Sequence, residues 1–238
     1  MKVVISQPMF FPWIGFFEQI KLCDIYVHYN DVQYSKGSFA NRVQVKSAQG
    51  SKWLTVPLKN LHLGQPIDQV EINNQIDWRT NHFDLLKRCY KTAPYYSEML
   101  KLVETVYGND WELLDDLSQT TLIKVCEYFG FFEDKKFTSI KDLIVGGASS
   151  ERVLATTIKV KADTYITGHG ASNYLDHSIF ENAGVSVKYM DYQKTPYPQL
   201  YGEFTPYVSI LDLIANVGKD GVNWIHSRTI DWKDFLDE

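Results

Sequence analysis

The segment Ile166-Thr167-Gly168-His169-Gly170-Ala171-Ser172 carries residue types suited to holding an anion. Its glycines let backbone N–H groups come close to a ligand, and it lies between a predicted strand and a predicted helix, whose dipole favours negative charge. This spacing marks Gly168, Gly170 and Ser172 as phosphate-binding candidates. It also marks His169, a loop imidazole flanked by glycines, as a general acid or base near neutral pH. A tight turn with no ligand is the plainer reading of the same glycines. The third place of a dinucleotide fingerprint is Asn173 here, and no acidic residue follows in the required strand context. An NAD site is therefore excluded, whereas a nucleotide-sugar diphosphate or an ATP phosphate stays open.

His82 is the second candidate proton carrier, although it interrupts an apolar helical stripe, where a core histidine bonded to the backbone is the competing reading. Asn41 and Arg42, with Lys46 two strand alternations further on, form a row on one hairpin face that can grip an anionic substrate; the alternative is a solvated hairpin face. At residues 3 to 17, VVISQPMFFPWIGFF, an apolar strand breaks at Gln7-Pro8 and passes into an aromatic helix start. Strand ends of this kind are where open α/β sheets bind ligands, so Gln7, Phe11 and Trp13 become substrate-binding candidates. The competing reading is a stiffened turn whose aromatic rings plug the core.

Metal ligation is disfavoured, because there is no His-x-x-x-His pair, His-carboxylate cluster or Cys-x-x-Cys pair. Nucleophilic catalysis is equally unsupported. Ser6 and Ser172 lack the G-x-S-x-G elbow, and Cys23, Cys89 and Cys126 sit in apolar helical contexts, as buried free thiols do.

The elements that must position these groups alternate. Val3 to Ile5 is a β-branched strand, Phe16, Phe17, Ile20 and Cys23 share one helical face, and Ile25 to His28 is a second strand. Residues 42 to 57 alternate around Gln49-Gly50-Ser51 as a hairpin, and a brief strand is expected at Val70 to Ile72. Asp77 to Gly130 is helical. Asp77 is the N-cap of a first helix, striped by Trp78, His82, Leu85 and Cys89 and closed by Pro94; Met99, Val103 and Val106 carry a second, and Leu114, Leu117, Leu122, Val125 and Phe129 a third that stops at Gly130. Beyond Ile140 come a helix from Ser149 or Ser150, a strand at Thr164 to Thr167, a helix at Leu175 to Ala183 and a strand at Val185 to Tyr189. Ser209 and Asp212 form a capping box for a helix over Ile210 to Asn216. The pattern predicts a single α/β domain over residues 1–238 with a Rossmann-like, mainly parallel sheet, a β-hairpin, and a helical insertion or lid over 77–130.

With 238 residues and 45% hydrophobic content, the chain can bury about 70–75% of its unfolded surface in one core without metal or disulfide. Its 24 basic and 29 acidic residues leave a net charge of −5, which argues against a nucleic-acid partner held by phosphate neutralisation. The start has no basic region and no apolar run approaches about 18 residues, so a cytoplasmic protein without a membrane span is expected. Aromatic residues make up 14% of the chain and include 15 tyrosines, whose flat rings and hydroxyls suit pockets for sugars or nucleotides.

The pieces QPMFFPWIGFFEQI, DVQYSKGSFANRVQVK, GSKWLTVPLK, WRTNHFDLLKRCYKTAPYY, DTYITGHGASNYLD and SILDLIANVG, in this order, resemble the WbqC-like family of bacterial polysaccharide clusters. The resemblance extends over nearly the whole chain and draws Tyr174, in Tyr174-Leu175-Asp176, into the substrate-binding set. It implies a cytoplasmic protein of O-antigen or related surface-glycan biosynthesis, in which an amino acid or acyl group is transferred to a nucleotide-linked amino sugar. An aminoacyl or acyl carrier would be the second partner. The chain departs from the family pattern at Gly168-His169-Gly170, where the family has a Gly-Pro or small-residue loop. The N-terminal turn also resembles the nucleotidyltransferase-like superfamily, but Gln7, Pro8 and Phe11 stand where its His-x-x-His-type motif holds ATP. ATP-dependent nucleotidyl or adenylyl transfer is the alternative enzyme reading, and a nucleotide-sugar-binding accessory protein is the non-enzymatic one.

Overall fold

The computed structural model describes residues 1–237. Chain order is β1 (Lys2–Ser6), α1 (Ile14–Leu22), β2 (Ile25–His28), the hairpin β3 (Arg42–Ser47) and β4 (Gly50–Thr55), then the short β5 (Leu58–Lys59) and β6 (Glu71–Ile72). The helical block α2 (Trp78–Tyr90), α3 (Tyr96–Tyr107) and α4 (Leu114–Phe129) follows. The last part holds β7 (Lys136–Ser139), α5 (Ile140–Leu143), α6 (Ser149–Lys159), β8 (Thr164–Thr167), α7 (His177–Asn182), β9 (Ser186–Asp191), α8 (Ile210–Val217), β10 (Arg228–Asp231) and α9 (Trp232–Asp237).

Six strands form one sheet in the order β10-β9-β8-β1-β2-β7, and only the edge pair β10–β9 is antiparallel. β1 is central: Val3 to Ser6 register with Ile25 to His28 on one side, and Lys2 to Val4 with Thr164 to Ile166 on the other. The parallel strands that follow β1 go first to one side (β2, β7) and then to the other (β8, β9). The connections therefore diverge between β1 and β8, and at such a switch point the carboxyl ends leave a crevice. The sheet is the Rossmann-like one expected, and the hairpin stands as a separate two-stranded sheet.

Both faces of the sheet are covered, so its inner strands read as largely apolar runs. Val4, Tyr26, Ile166 and Met190 face the larger core, built with α1, the hairpin, α2–α4 and α8. Val3, Ile5, Ile25, Val27, Tyr165, Val187 and Tyr189 face the smaller one, with α6 and α7. The caps follow local chemistry. The Asp77 carboxylate accepts from Thr80 N–H, and Gly130 ends α4 at φ 75°.

Five elements, β5, β7, β10, α5 and α9, were missed by sequence reading, and three others differ from it. β7 and β10 escaped because Lys136–Ser139 and Arg228–Asp231 are short edge strands that are half polar, with no alternation to signal them. The helix expected from Leu175 is shorter, since Asp176 caps it through Ser178 N–H, and α2 stops at Tyr90, before the expected break at Pro94. The capping box at Ser209 is only half present. The Ser209 hydroxyl accepts from Leu211 N–H, whereas Asp212 turns into the core and accepts from the Tyr90 and Tyr197 hydroxyls at 2.9 and 2.8 Å. Burying those phenols leaves the carboxylate as their partner, and that need outweighs a solvent-side cap.

Candidate functional site

The crevice lies at the switch point. The chain leaves β1 through Ser6, Gln7 and Pro8 and leaves β8 through Thr167, Gly168 and Gly170, and these two breaks form facing walls of one cavity of about 610 Å³. That volume is in the range of small-molecule sites. Tyr29, the first residue after β2, lines it together with Tyr165, Tyr174, Ser149 and Gln19; Ser38, Phe39 and Ala40 form an outer rim.

Local architecture fixes each wall. Gly168 has extended backbone, φ −82° and ψ 169°, so its value lies in lacking a side chain. A Cβ there would stand 3.1 Å from the Tyr192 hydroxyl and 3.4 Å from Gln19 Nε2. Gln19 Nε2 donates to that hydroxyl at 2.5 Å, and the Tyr192 ring lies between Trp13 and His169 at 4.9 and 5.1 Å. Trp13 is folded back over Gly15, where any Cβ would come within 2.2 Å of the indole. Ser150 Oγ donates to the Tyr174 carbonyl and accepts from Asp176 N–H, tying the β8–α7 turn to α6.

Among the described residues, the lining contains no Lys, Arg, His, Asp or Glu. Its polar groups are hydroxyls, side-chain amides and backbone. Burial raises the phenols of Tyr29, Tyr165 and Tyr174 above the ordinary tyrosine value, and for Tyr29 the Arg152 guanidinium 5.1 Å from its ring opposes the shift without reversing it. All three phenols are therefore neutral at physiological pH, and the Tyr165 hydroxyl donates to Thr167 Oγ1 at 3.2 Å. Arg152 itself is paired with Asp31 through two contacts of 3.0 and 2.5 Å. The charge beside Tyr29 is thus held as an ion pair.

Of the residues singled out in the sequence, Gln7, Trp13, Gly168, Gly170 and Tyr174 line the crevice. Phe11 is wholly buried beside it, with its ring against Phe10 and Tyr107. Its backbone has φ 38°, held by a bond from its N–H to Thr121 Oγ1 and one to its carbonyl from Ser209 Oγ. Asn41 is a buried brace: its amide donates to the Val56 carbonyl, and its oxygen accepts from the Tyr34 hydroxyl. Arg42 donates to the Gly37 carbonyl at 2.6 Å and stacks on Trp53 at 4.4 Å, which secures the rim loop from behind. Lys46 is buried and donates to Gln199 Oε1 and the Glu203 carbonyl. The Ser172 hydroxyl donates to the His169 carbonyl.

Neither histidine lines the crevice. His169 Nε2 donates to the Met190 carbonyl at 2.6 Å, with its ring against Tyr192 and Phe235. His82 Nε2 donates to the Thr55 carbonyl while Nδ1 accepts from the Tyr107 hydroxyl, and burial lowers its pKa to about 4. Sequence reading missed Tyr29, Tyr165, Gln19 and Ser149. The strand-end rule that marked Gln7 marks Tyr29 equally well, but Ser149 and Gln19 come from helices whose approach to the crevice no local pattern encodes. Among the described residues, no group of three or more His, Cys, Asp or Glu is placed to hold a metal ion, and no helix is long and apolar enough to cross a membrane.

Comparison with known proteins adds family context. The model of the WbqC-like protein family matches residues 7–224. The uncharacterized protein Rv1507c of Mycobacterium tuberculosis (strain ATCC 25618 / H37Rv) is 30% identical over 227 residues, covering 94% of this chain and 97% of that protein. No solved structure matches the chain.

Proposed function

This chain belongs to the WbqC-like protein family, and from that premise we propose that its crevice binds a nucleotide-linked amino sugar and is the place where an acyl or aminoacyl group is joined to the sugar amine. One observation carries the reading: a cavity of sugar size, walled by neutral hydroxyls, amides and aromatic rings, with no ionised side chain on its described lining. Sugars are recognised by such groups, since each hydroxyl can exchange its water partners for protein donors and acceptors, and an aromatic face covers the apolar side of the ring.

The roles follow from position. Gln7 and Tyr174, at the mouth, orient the sugar; Tyr29, deeper, donates to its hydroxyls; the backbone of Gly168 and Gly170 meets the diphosphate. In the transfer, the amine nitrogen attacks the acyl carbon, the new N–C bond forms as the bond to the leaving group breaks, and the proton lost by the amine goes to the departing group. Acceleration here rests on holding donor and amine together, because no histidine or carboxylate reaches the reacting atoms. That same absence favours a second reading, a nucleotide-sugar-binding protein without catalysis. Nucleotidyl transfer from ATP is less favoured, because no Lys or Arg faces the space where a triphosphate would lie.

Calorimetric titration with UDP-glucosamine, UDP, glucosamine and ATP separates these. The reading expects UDP-glucosamine to bind at least tenfold more tightly than UDP, with Tyr29→Phe reducing that preference, and a mass gain on the sugar amine when an activated acyl donor is added. ATP binding more tightly than UDP-glucosamine would overturn it, and tight nucleotide-sugar binding with no product from any acyl or aminoacyl donor would leave the binding protein.

A further inference from the structure

A second cavity of about 230 Å³ adjoins the first, and its lining is mainly apolar. Met9, Trp13 and Phe39 belong to both, so the two are neighbouring compartments of one concavity divided by these side chains. The remaining wall comes from Phe10, Pro12, Val43 and Tyr207. Among the described residues, the polar side-chain groups on this lining are the Tyr207 hydroxyl and the Trp13 indole N–H. Phe10 is wholly buried, while Phe39 and Tyr207 remain 45% and 53% exposed at the outer end. The compartment is therefore closed inward and open outward. The shared residues are packed in place: the Trp13 indole lies over Gly15 and 4.9 and 5.7 Å from the Tyr192 and Tyr207 rings, and the Phe39 carbonyl accepts from Phe10 N–H.

We propose that this annexe binds an aliphatic acyl chain belonging to a ligand whose polar head occupies the main crevice. The placement of that head rests on the sugar reading above; the annexe's preference for an alkyl chain does not. A wholly apolar cavity of about 150 Å³ takes a benzene ring, so this one takes a chain of roughly six to eight carbons before the excess emerges between Phe39 and Tyr207. A charged or strongly hydrogen-bonding substituent would lose its water partners there and find few replacements, the Tyr207 hydroxyl and the Trp13 N–H. The substrate class that results is amphiphilic: a sugar or sugar-like head bearing, or meeting, a medium-length acyl group.

The test is a series of n-alkyl β-D-glucosides from methyl to decyl, with the matching n-alkanols, titrated against the full chain by Trp fluorescence and calorimetry. Affinity is expected to rise about fourfold per methylene and to level off near eight carbons. Tyr207→Ala removes a half-exposed wall and is expected to lower the increment to less than twofold per methylene while leaving methyl glucoside binding unchanged. Val43→Leu, which places an added methylene in the annexe, is expected to shorten the plateau by one or two carbons, with the melting temperature recorded for both variants. Alkanols that show the chain-length dependence while glucosides show none would uphold the annexe and refute the sugar head. An affinity flat with chain length in both series, or a dependence unchanged in both variants, would overturn the proposal.

Discussion

Gly168→Ala and Gly170→Ala differ by one methyl placed two residues apart, and the crevice geometry assigns them opposite outcomes. At Gly168 the backbone is already suited to alanine, so any cost comes from contact. The new Cβ meets the Tyr192 hydroxyl at 3.1 Å and Gln19 Nε2 at 3.4 Å, the two partners of a 2.5 Å hydrogen bond. Tyr192 cannot yield freely, because Trp13 and His169 flank its ring. Loss of that bond costs about 1 kcal/mol, with up to about 1–2 kcal/mol more if a half-buried donor is left unpaired. The lower entropy of the unfolded alanine chain returns about 0.4–1 kcal/mol. A net destabilisation of roughly 0.5–2 kcal/mol is expected, read as a fall in melting temperature of about 2–4 °C per kcal/mol for a domain of this size. Because the displaced Tyr192 supports Trp13, nucleotide-sugar affinity should fall as well. At Gly170 nothing lies within 4 Å of the added Cβ. Gly170→Ala should melt within a degree or two of wild type, yet it puts a methyl on the crevice lining and should weaken UDP-glucosamine binding severalfold. Paired thermal melts and calorimetric titrations decide the matter. Equal stability of the two variants, or a Gly170→Ala protein that loses stability but not affinity, would refute the reasoning.

Other predictions follow from the same contacts. Arg42→Ala releases the Gly37 carbonyl and the stack on Trp53, so it should weaken ligand binding about 3–10-fold by loosening the rim; an effect that vanishes in high salt would instead indicate direct charge contact. Asp212→Ala strands the buried Tyr90 and Tyr197 hydroxyls and should cost about 3–5 kcal/mol in urea unfolding, whereas a loss below about 1 kcal/mol would mean that water replaces the carboxylate. Two buried groups impose opposite pH dependences. Burial raises Glu18 from 4.5 to about 7; the folded state keeps a proton that the unfolded chain has lost, so its contribution falls as pH rises from about 4.5 to 7, by roughly 1–2 kcal/mol after screening. Glu18→Gln should remove that fall and gain stability at pH 8. Burial lowers His82 from 6.5 to about 4; its contribution is complete above pH 6.5 and lost as pH falls towards 4, so His82→Gln should flatten the acid limb by about 2–3 kcal/mol. Unfolding curves from pH 4 to 8 for both variants check these signs, and slopes equal to wild type would disprove them.

Much of the fold could be read along the chain because its signals are local. Val3 to Ile5, Ile25 to His28 and Thr164 to Thr167 are β-branched or aromatic runs that favour strands wherever they occur, while Asp77 and Gly130 bracket helices through their own side-chain and backbone chemistry. Lys136–Ser139 and Arg228–Asp231 become strands only because a neighbouring edge offers them hydrogen-bond partners. The site divides similarly. Gln7 and Gly168 are legible because a strand end in an α/β chain opens towards ligand. His82, Asn41 and Lys46 have residue types that look functional, but the partners that occupy them, Tyr107, Val56 and Gln199, lie 15 or more positions away.

By itself, the sequence determined the α/β class, the two chain breaks that face each other across the crevice and the family to which the chain belongs. Only the tertiary structure decided that the crevice carries no charge on its described lining, that it adjoins an apolar annexe, and that both histidines turn elsewhere. The physical reason is that backbone preference and apolar periodicity act over a few residues, whereas the direction of a polar side chain is set by whichever distant donor or acceptor satisfies it once water is excluded.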